Sequence, residues 1–196
     1  MRPSFFFGER GVRSARGLSS SVAYNLSKDS RDMDCRGDQR HSVGVGLLMG
    51  ALLMTIGYEG RDLQEFEDIL RGANVEVLVD VREKPLSRKR GFAKSALQGM
   101  LEGIGKSYVH LRGLGSPSEL RMRLHEGSDY DGFFAEFDAL LDSPERDQYL
   151  EYVAGIVRGG KAVCLMCFER DSRKCHRSIL AKRLVKKLPG VKVLNL

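Results

Sequence analysis

The stretch Val163-Cys164-Leu165-Met166-Cys167-Phe168-Glu169-Arg170-Asp171-Ser172-Arg173-Lys174-Cys175-His176-Arg177 opens on an apolar run, crosses a polar loop and leads into a segment with helical spacing. The apolar run, with its approach, predicts a buried strand over 161–168. Ile179, Leu180 and Leu184 predict a helix over 176–188, which Pro189-Gly190 ends. Strand, loop and helix in that order form the building unit of a parallel sheet. Here the unit leaves thiols, a carboxylate and guanidinium groups just past the end of a strand, where open α/β sheets hold their ligands.

The unit recurs upstream. Residues 51–57 read as a first strand, followed by a helix over 62–71 with Leu63, Phe66, Ile69 and Leu70 on one face. Residues 75–81 are short and dense in valine, like a strand buried on both faces. Pro85 breaks any continuation. A helix over 94–105 carries Leu97, Met100, Leu101 and Ile104, a short strand follows over 107–111, and Gly113, Gly115 and Pro117 mark a loop. Two more helices are expected over 130–142 and 145–158, the second opened by Ser143 as cap and Pro144 at its first position. Gly159-Gly160 stops that helix, and 191–196 closes the domain as a strand. Alternation of this kind predicts an α/β fold: one three-layer domain over 51–196 with a mostly parallel sheet, right-handed crossovers and helices on both faces.

Residues 1–48 differ in kind. They are rich in Ser, Arg and Gly without sustained periodicity, and they predict a disordered N-terminal extension. Five acids, Glu9, Asp29, Asp32, Asp34 and Asp38, argue against a mitochondrial transit peptide. An upstream extension of the reading frame is the simpler account, with Met49 or Met54 as the start. The uncharged stretch 42–58 approaches the length of a membrane span, but its glycines and strand-like end argue against one.

At 196 residues and 21.9 kDa the chain has room for one such domain and no second full one. Its formal charge of +6 sits mainly in two runs. One is Arg82, Lys84, Arg88, Lys89, Arg90 and Lys94; the other spans Arg170, Arg173, Lys174, Arg177, Lys182, Arg183, Lys186 and Lys187. Each run is either a solvated face or the rim of an anion site. Four cysteines in a core-rich chain of this size suit reduced thiols and a cytoplasmic setting better than a disulfide framework.

Parallel strands bring their C-terminal ends to one edge, which gathers Tyr58, Asp80, Arg82, His110 and the 167–177 loop. Cys175, beside a helix start and between Lys174, His176 and Arg177, is expected to be a thiolate of lowered pKa. Glu169 lies two positions beyond Cys167, hence on the same side of an extended chain; Cys164 faces the other way and reads as core. The same parity, with the adjacency of Cys175 and His176, argues against zinc held by Cys164, Cys167, Cys175 and His176. Neither a bound metal nor another cofactor is expected.

Thr55-Ile56-Gly57-Tyr58, then Asp80-Val81-Arg82 with Pro85, Ser87 and Arg88, then Gly103-Ile104 through Tyr108, His110 and Leu111, are followed by Cys167-Phe168-Glu169 and Cys175-His176-Arg177. This ordered set resembles the domain of unknown function 488 family, from about Thr55 to the last helix. The resemblance implies that Cys167, Glu169, Cys175, His176, Arg177, Asp80, Arg82 and Arg88 stand at family hallmark positions. Tyr58 stands where many relatives carry a histidine.

The leading expectation is a thiol- and arginine-dependent enzyme on an anionic, phosphorylated or nucleotide-like substrate. Its catalytic candidates are Cys175, Glu169, Cys167, His176 and His110, and its substrate-binding candidates are Arg177, Arg82, Arg88, Asp80 and Tyr58. The second expectation is a non-catalytic nucleic-acid-binding or regulatory module whose cysteines are structural, zinc-bound ones included. A membrane partner is not expected.

Overall fold

The computed structural model describes residues 52–196. The expected extension over 1–48 lies outside the described residues, as do the first ten positions of the uncharged stretch 42–58. Its later part is strand β1, Leu52–Gly57. Among the described residues no helix is long and apolar enough to cross a membrane.

After β1 come α1 (Leu63–Gly72), β2 (Val77–Asp80), α2 (Lys94–Gly103), β3 (Ser107–His110), α3 (Ser118–Gly127), α4 (Tyr130–Leu140), α5 (Pro144–Arg158), β4 (Val163–Cys167), α6 (Arg177–Lys187) and β5 (Lys192–Asn195). The five strands are all parallel, in the order β3-β2-β4-β1-β5. The expected α/β architecture is therefore present, and the sheet is wholly rather than mostly parallel. One turn of 3₁₀ helix follows β3 and another, Ser172–Lys174, precedes α6.

Alternate residues of the four strands β1 to β4 feed opposite cores. Met54, Ile56, Leu78, Cys164 and Met166 pack with Phe66 and Leu70 of α1 and Leu97 and Leu101 of α2. Leu53, Val77, Val79, Val163 and Leu165 face Phe137 of α4, Leu150 and Val153 of α5, and Leu180 and Leu184 of α6. Every residue of β2 and β4 is buried, which is why Val77 to Val79 and Val163 to Cys167 read as continuous apolar runs.

Local signals set most helix starts. The Asp62 carboxylate accepts the Glu65 N–H at 2.8 Å, and the Ser143 hydroxyl accepts that of Arg146 ahead of Pro144. Helix α3 was not foreseen in the stretch beyond Pro117. Leu120 is its one buried residue and no side chain caps its start, so it carries little sequence signal.

Arg183 ties α6 to α4, donating to the Asp138 carboxylate at 2.6 Å. That bond, with nearby Lys182 and Lys186, holds the Asp138 pKa below the usual carboxylate value. A depressed carboxylate contributes stability above its unfolded pKa and loses it as pH falls through the folded value. Asp138→Asn should therefore cost under about 1 kcal/mol at neutral pH, because the pair is partly solvated. In urea titrations the gap between variant and wild type should shrink as pH falls below the ordinary carboxylate range and close once Asp138 is protonated in the folded state.

Candidate active site

The connections decide where a site can form. From β1 and β2 the chain turns to the α1–α2 face, whereas from β4, which lies between them, it turns to the α6 face. The strand ends separate there, as at the switch point of a doubly wound sheet. The loop leaving β4 fills that opening with Cys167, Glu169, Cys175 and His176.

Cys167 ends β4 and is 4 % exposed. Its thiol meets the Glu169 carboxylate at 3.2 Å, as the two-residue spacing predicts. His176 Nδ1 lies 3.7 Å from the Cys167 sulfur and 3.9 Å from that of Cys175. The other ring nitrogen, Nε2, donates to the Val81 carbonyl at 3.0 Å, since a carbonyl can only accept. Phe137 packs edge-on against the imidazole at 5.1 Å. Burial alone would lower the His176 pKa, but its surroundings, with the Glu169 carboxylate as the nearby anion and the Val81 carbonyl as acceptor, raise it. Burial likewise opposes ionisation of Glu169, yet hydrogen bonds led by that of Cys175 bring its pKa below the usual carboxylate value.

One sequence expectation is overturned at Cys175. The residue sits before the helix in extended backbone, 1 % exposed, within the α4–α6 core. Burial, then the neighbouring Cys167, raises its thiol pKa well above normal, the opposite of the lowering expected from its neighbours in sequence. Arg177 is likewise no open anion clamp. It is 1 % exposed, and its guanidinium donates to the carbonyls of Glu169 and Arg170 and to the Thr55 hydroxyl. It fastens the loop over the end of β1.

Asp80 and Arg82 form a buried ion pair in which both carboxylate oxygens receive guanidinium N–H groups. Asp80 also accepts the Tyr108 hydroxyl at 2.7 Å, and Arg82 donates to the Tyr58 hydroxyl at 3.1 Å and the Phe92 carbonyl at 2.9 Å. Tyr58 stacks on Phe92 at 4.5 Å. His110 at the end of β3 binds the Arg82 carbonyl at 2.8 Å, while Arg88 is exposed in the β2–α2 loop.

A cavity of about 150 Å³ opens over this arrangement. Cys167, Glu169 and His176 form its reactive floor, Tyr58, Phe168 and Leu86 its apolar wall, and Arg82, Glu83, Lys84, Ser116 and Arg121 its polar wall. Asp80, Cys175, Arg177, His110 and Arg88 are outside this lining. Ser116 and Arg121 escaped the sequence reading because they flank the start of α3, the helix with least signal. Glu83 binds Arg121 at 3.0 Å, and Lys84 is exposed beside them. A larger cleft, about 740 Å³, lies between α4, α6 and β5, away from these groups.

The donor set Cys167, Glu169, Cys175 and His176 has ligand atoms all within 4.8 Å of one another. The parity objection to a metal applied to Cys164, which packs on the opposite face of the sheet. Glu169 stands in the place assigned to it.

The profile described as Domain of unknown function DUF488 matches residues 62–184. No curated protein and no solved structure matches the chain.

Proposed function

Because the chain belongs to the family described as Domain of unknown function DUF488, whose description assigns no activity, we propose a function from the site itself: an enzyme acting on a small substrate with a phosphoryl or carboxylate group. The observation that carries this reading is one cavity lined at once by a thiol, a carboxylate, an imidazole and three cationic side chains. Convergence of proton-moving groups and anion-binding groups in one hollow supports a catalytic site more than any one residue does.

The roles differ from those expected of Cys175 and Arg177. Cys167, Glu169 and His176 face the substrate, and the loop held by Arg177 keeps them together. Arg82 and Arg121 are paired with Asp80 and Glu83, so Lys84 at the mouth is the cation that meets the anionic group. A volume of about 150 Å³ suits an anionic head with a small body, and leaves any larger part of the substrate outside.

The polyanion-binding alternative is less well supported. Arg183 pairs with Asp138 and Asp142, Lys187 with Asp147 and Glu151, and Arg173 with Asp171, so three cations of the second basic run are already engaged with acids of the fold.

Incubation with a panel of small phosphomonoesters and carboxylic acids, followed by ³¹P and ¹H NMR, tests the proposal. Turnover should appear with at least one and be lost in Glu169→Gln. Lys84→Ala should raise KM about tenfold, the equivalent of one charge-assisted hydrogen bond of about 1.5 kcal/mol. Saturable binding of none of the panel, orthophosphate included, would refute it.

A further inference from the structure

We propose that Cys167, Cys175, His176 and Glu169 bind one divalent ion of the zinc class, with Glu169 as the ligand on the cavity side. The proposal rests on the reading above in placing the ion at the floor of a substrate cavity. The ion-binding itself stands on the cluster's own geometry.

Three observations carry it. First, the spacing fits. In a tetrahedral zinc site with bonds of about 2.3 Å to sulfur and about 2.0 Å to nitrogen or oxygen, sulfur lies roughly 3.5 to 3.6 Å from its nitrogen and oxygen neighbours. Here the sulfur–nitrogen separations are 3.7 and 3.9 Å, the Cys167 sulfur lies 3.2 Å from the Glu169 carboxylate and every remaining pair is within 4.8 Å, so side-chain adjustments without backbone movement can close the set on one ion.

Second, His176 presents to the sulfurs the nitrogen a metal would use. Donation of Nε2–H to the Val81 carbonyl leaves Nδ1 as the nitrogen aimed between both sulfurs. Anchoring of the remote ring N–H by a backbone carbonyl is the usual support for a ligating imidazole.

Third, the backbone resolves the crowding expected of adjacent ligands. Cys175 is extended at φ −128° and ψ 138°, whereas His176 is helical at φ −56° and ψ −22°. The switch between the two conformations brings consecutive side chains to one point.

Two thiolates and an imidazole favour zinc, or cobalt as its probe, over magnesium or calcium. On binding, each thiol loses its proton to solvent, and no oxidation is involved. Glu169 is half-buried and borders the cavity, so its position is the one a substrate oxygen or water can take.

The test is a Co²⁺ titration of the full chain carrying Cys35→Ser, which removes the thiol outside the described residues. One equivalent should produce the intense visible bands of tetrahedral cobalt and a thiolate-to-cobalt charge-transfer band, and Zn²⁺ should displace them. Cys167→Ser and Cys175→Ser should each weaken Zn²⁺ affinity more than about a hundredfold, beyond the effect of losing an outer partner. Glu169→Gln should retain the charge-transfer band with an altered visible spectrum. If the cysteine variants do not fold, a chelator should lower the wild-type melting temperature and Zn²⁺ should restore it. Absence of the charge-transfer band in the parent protein, its persistence without both Cys167 and Cys175, or a melting temperature indifferent to Zn²⁺ would overturn the proposal. Orthophosphate binding measured on chelator-treated protein reports separately on the anion cavity, so failure of one reading is distinguishable from failure of the other.

Discussion

Replacement of Asp80 by Asn should lower folding stability by about 3–5 kcal/mol, the usual loss when one member of a buried ion pair is removed. Asp80 is fully buried, and both of its oxygens act only as acceptors. Oδ1 takes the Arg82 backbone N–H at 3.0 Å and Nε at 2.9 Å; Oδ2 takes Nη2 and the Tyr108 hydroxyl. An asparagine is nearly the same shape, but its NH₂ must point at one of these donors. It also leaves the Arg82 charge without a counterion beneath the cavity. The urea midpoint should fall with an unchanged slope. Tyr108→Phe, which removes one donor and no charge, should cost only about 1 kcal/mol. The double variant Asp80→Asn, Arg82→Met should recover part of the loss, because it removes the stranded charge. An Asp80→Asn variant within about 1 kcal/mol of wild type would mean that the pair is hydrated and does not organise this edge.

Gly57→Ala should act on the other side of the same site. A β-carbon at Gly57 would lie 1.8 Å from the Glu169 carbonyl oxygen and 2.9 Å from the Arg170 α-carbon, and both are backbone. Neither can rotate away. The β4–α6 loop must lift, and with it go the Arg177 hydrogen bonds to the Glu169 and Arg170 carbonyls. Overpacking of this kind costs about 3 kcal/mol. The loop carries Glu169 and leads into Cys175 and His176, so the variant should also lose anion and Co²⁺ binding where it still folds. Wild-type stability together with wild-type binding would show that the loop does not rest on β1.

Much of this was legible in the residues because the relevant signals are local. Periodicity and turn residues placed all five strands to within about two positions, and the two-residue step from Cys167 to Glu169 put both on one side. Cys164 read as core for the same reason, and it is core. What the sequence could not carry was burial and competition for partners. Cys175 between three cations looks like an activated thiol until the packing of α4 against α6 encloses it. Arg177 looks like an anion clamp until the carbonyls of its own loop take its donors. Cys175 and His176 looked too close to share a metal, because adjacency says nothing of the change in backbone conformation between them. Helix α3 failed for a different reason: with Leu120 alone buried, it has too little apolar face to register.

Under the proposed function, substrate recognition sits at the end of β4 rather than on the basic face of α6. Orthophosphate titrated into ¹⁵N-labelled protein distinguishes the two directly. Saturable shifts are predicted for the amides of Arg82 to Lys84, Ser116 and Cys167 to Glu169, with those of Lys182 to Lys186 unmoved. Shifts centred on Lys182 and Lys186, with the β4 loop silent, would contradict it.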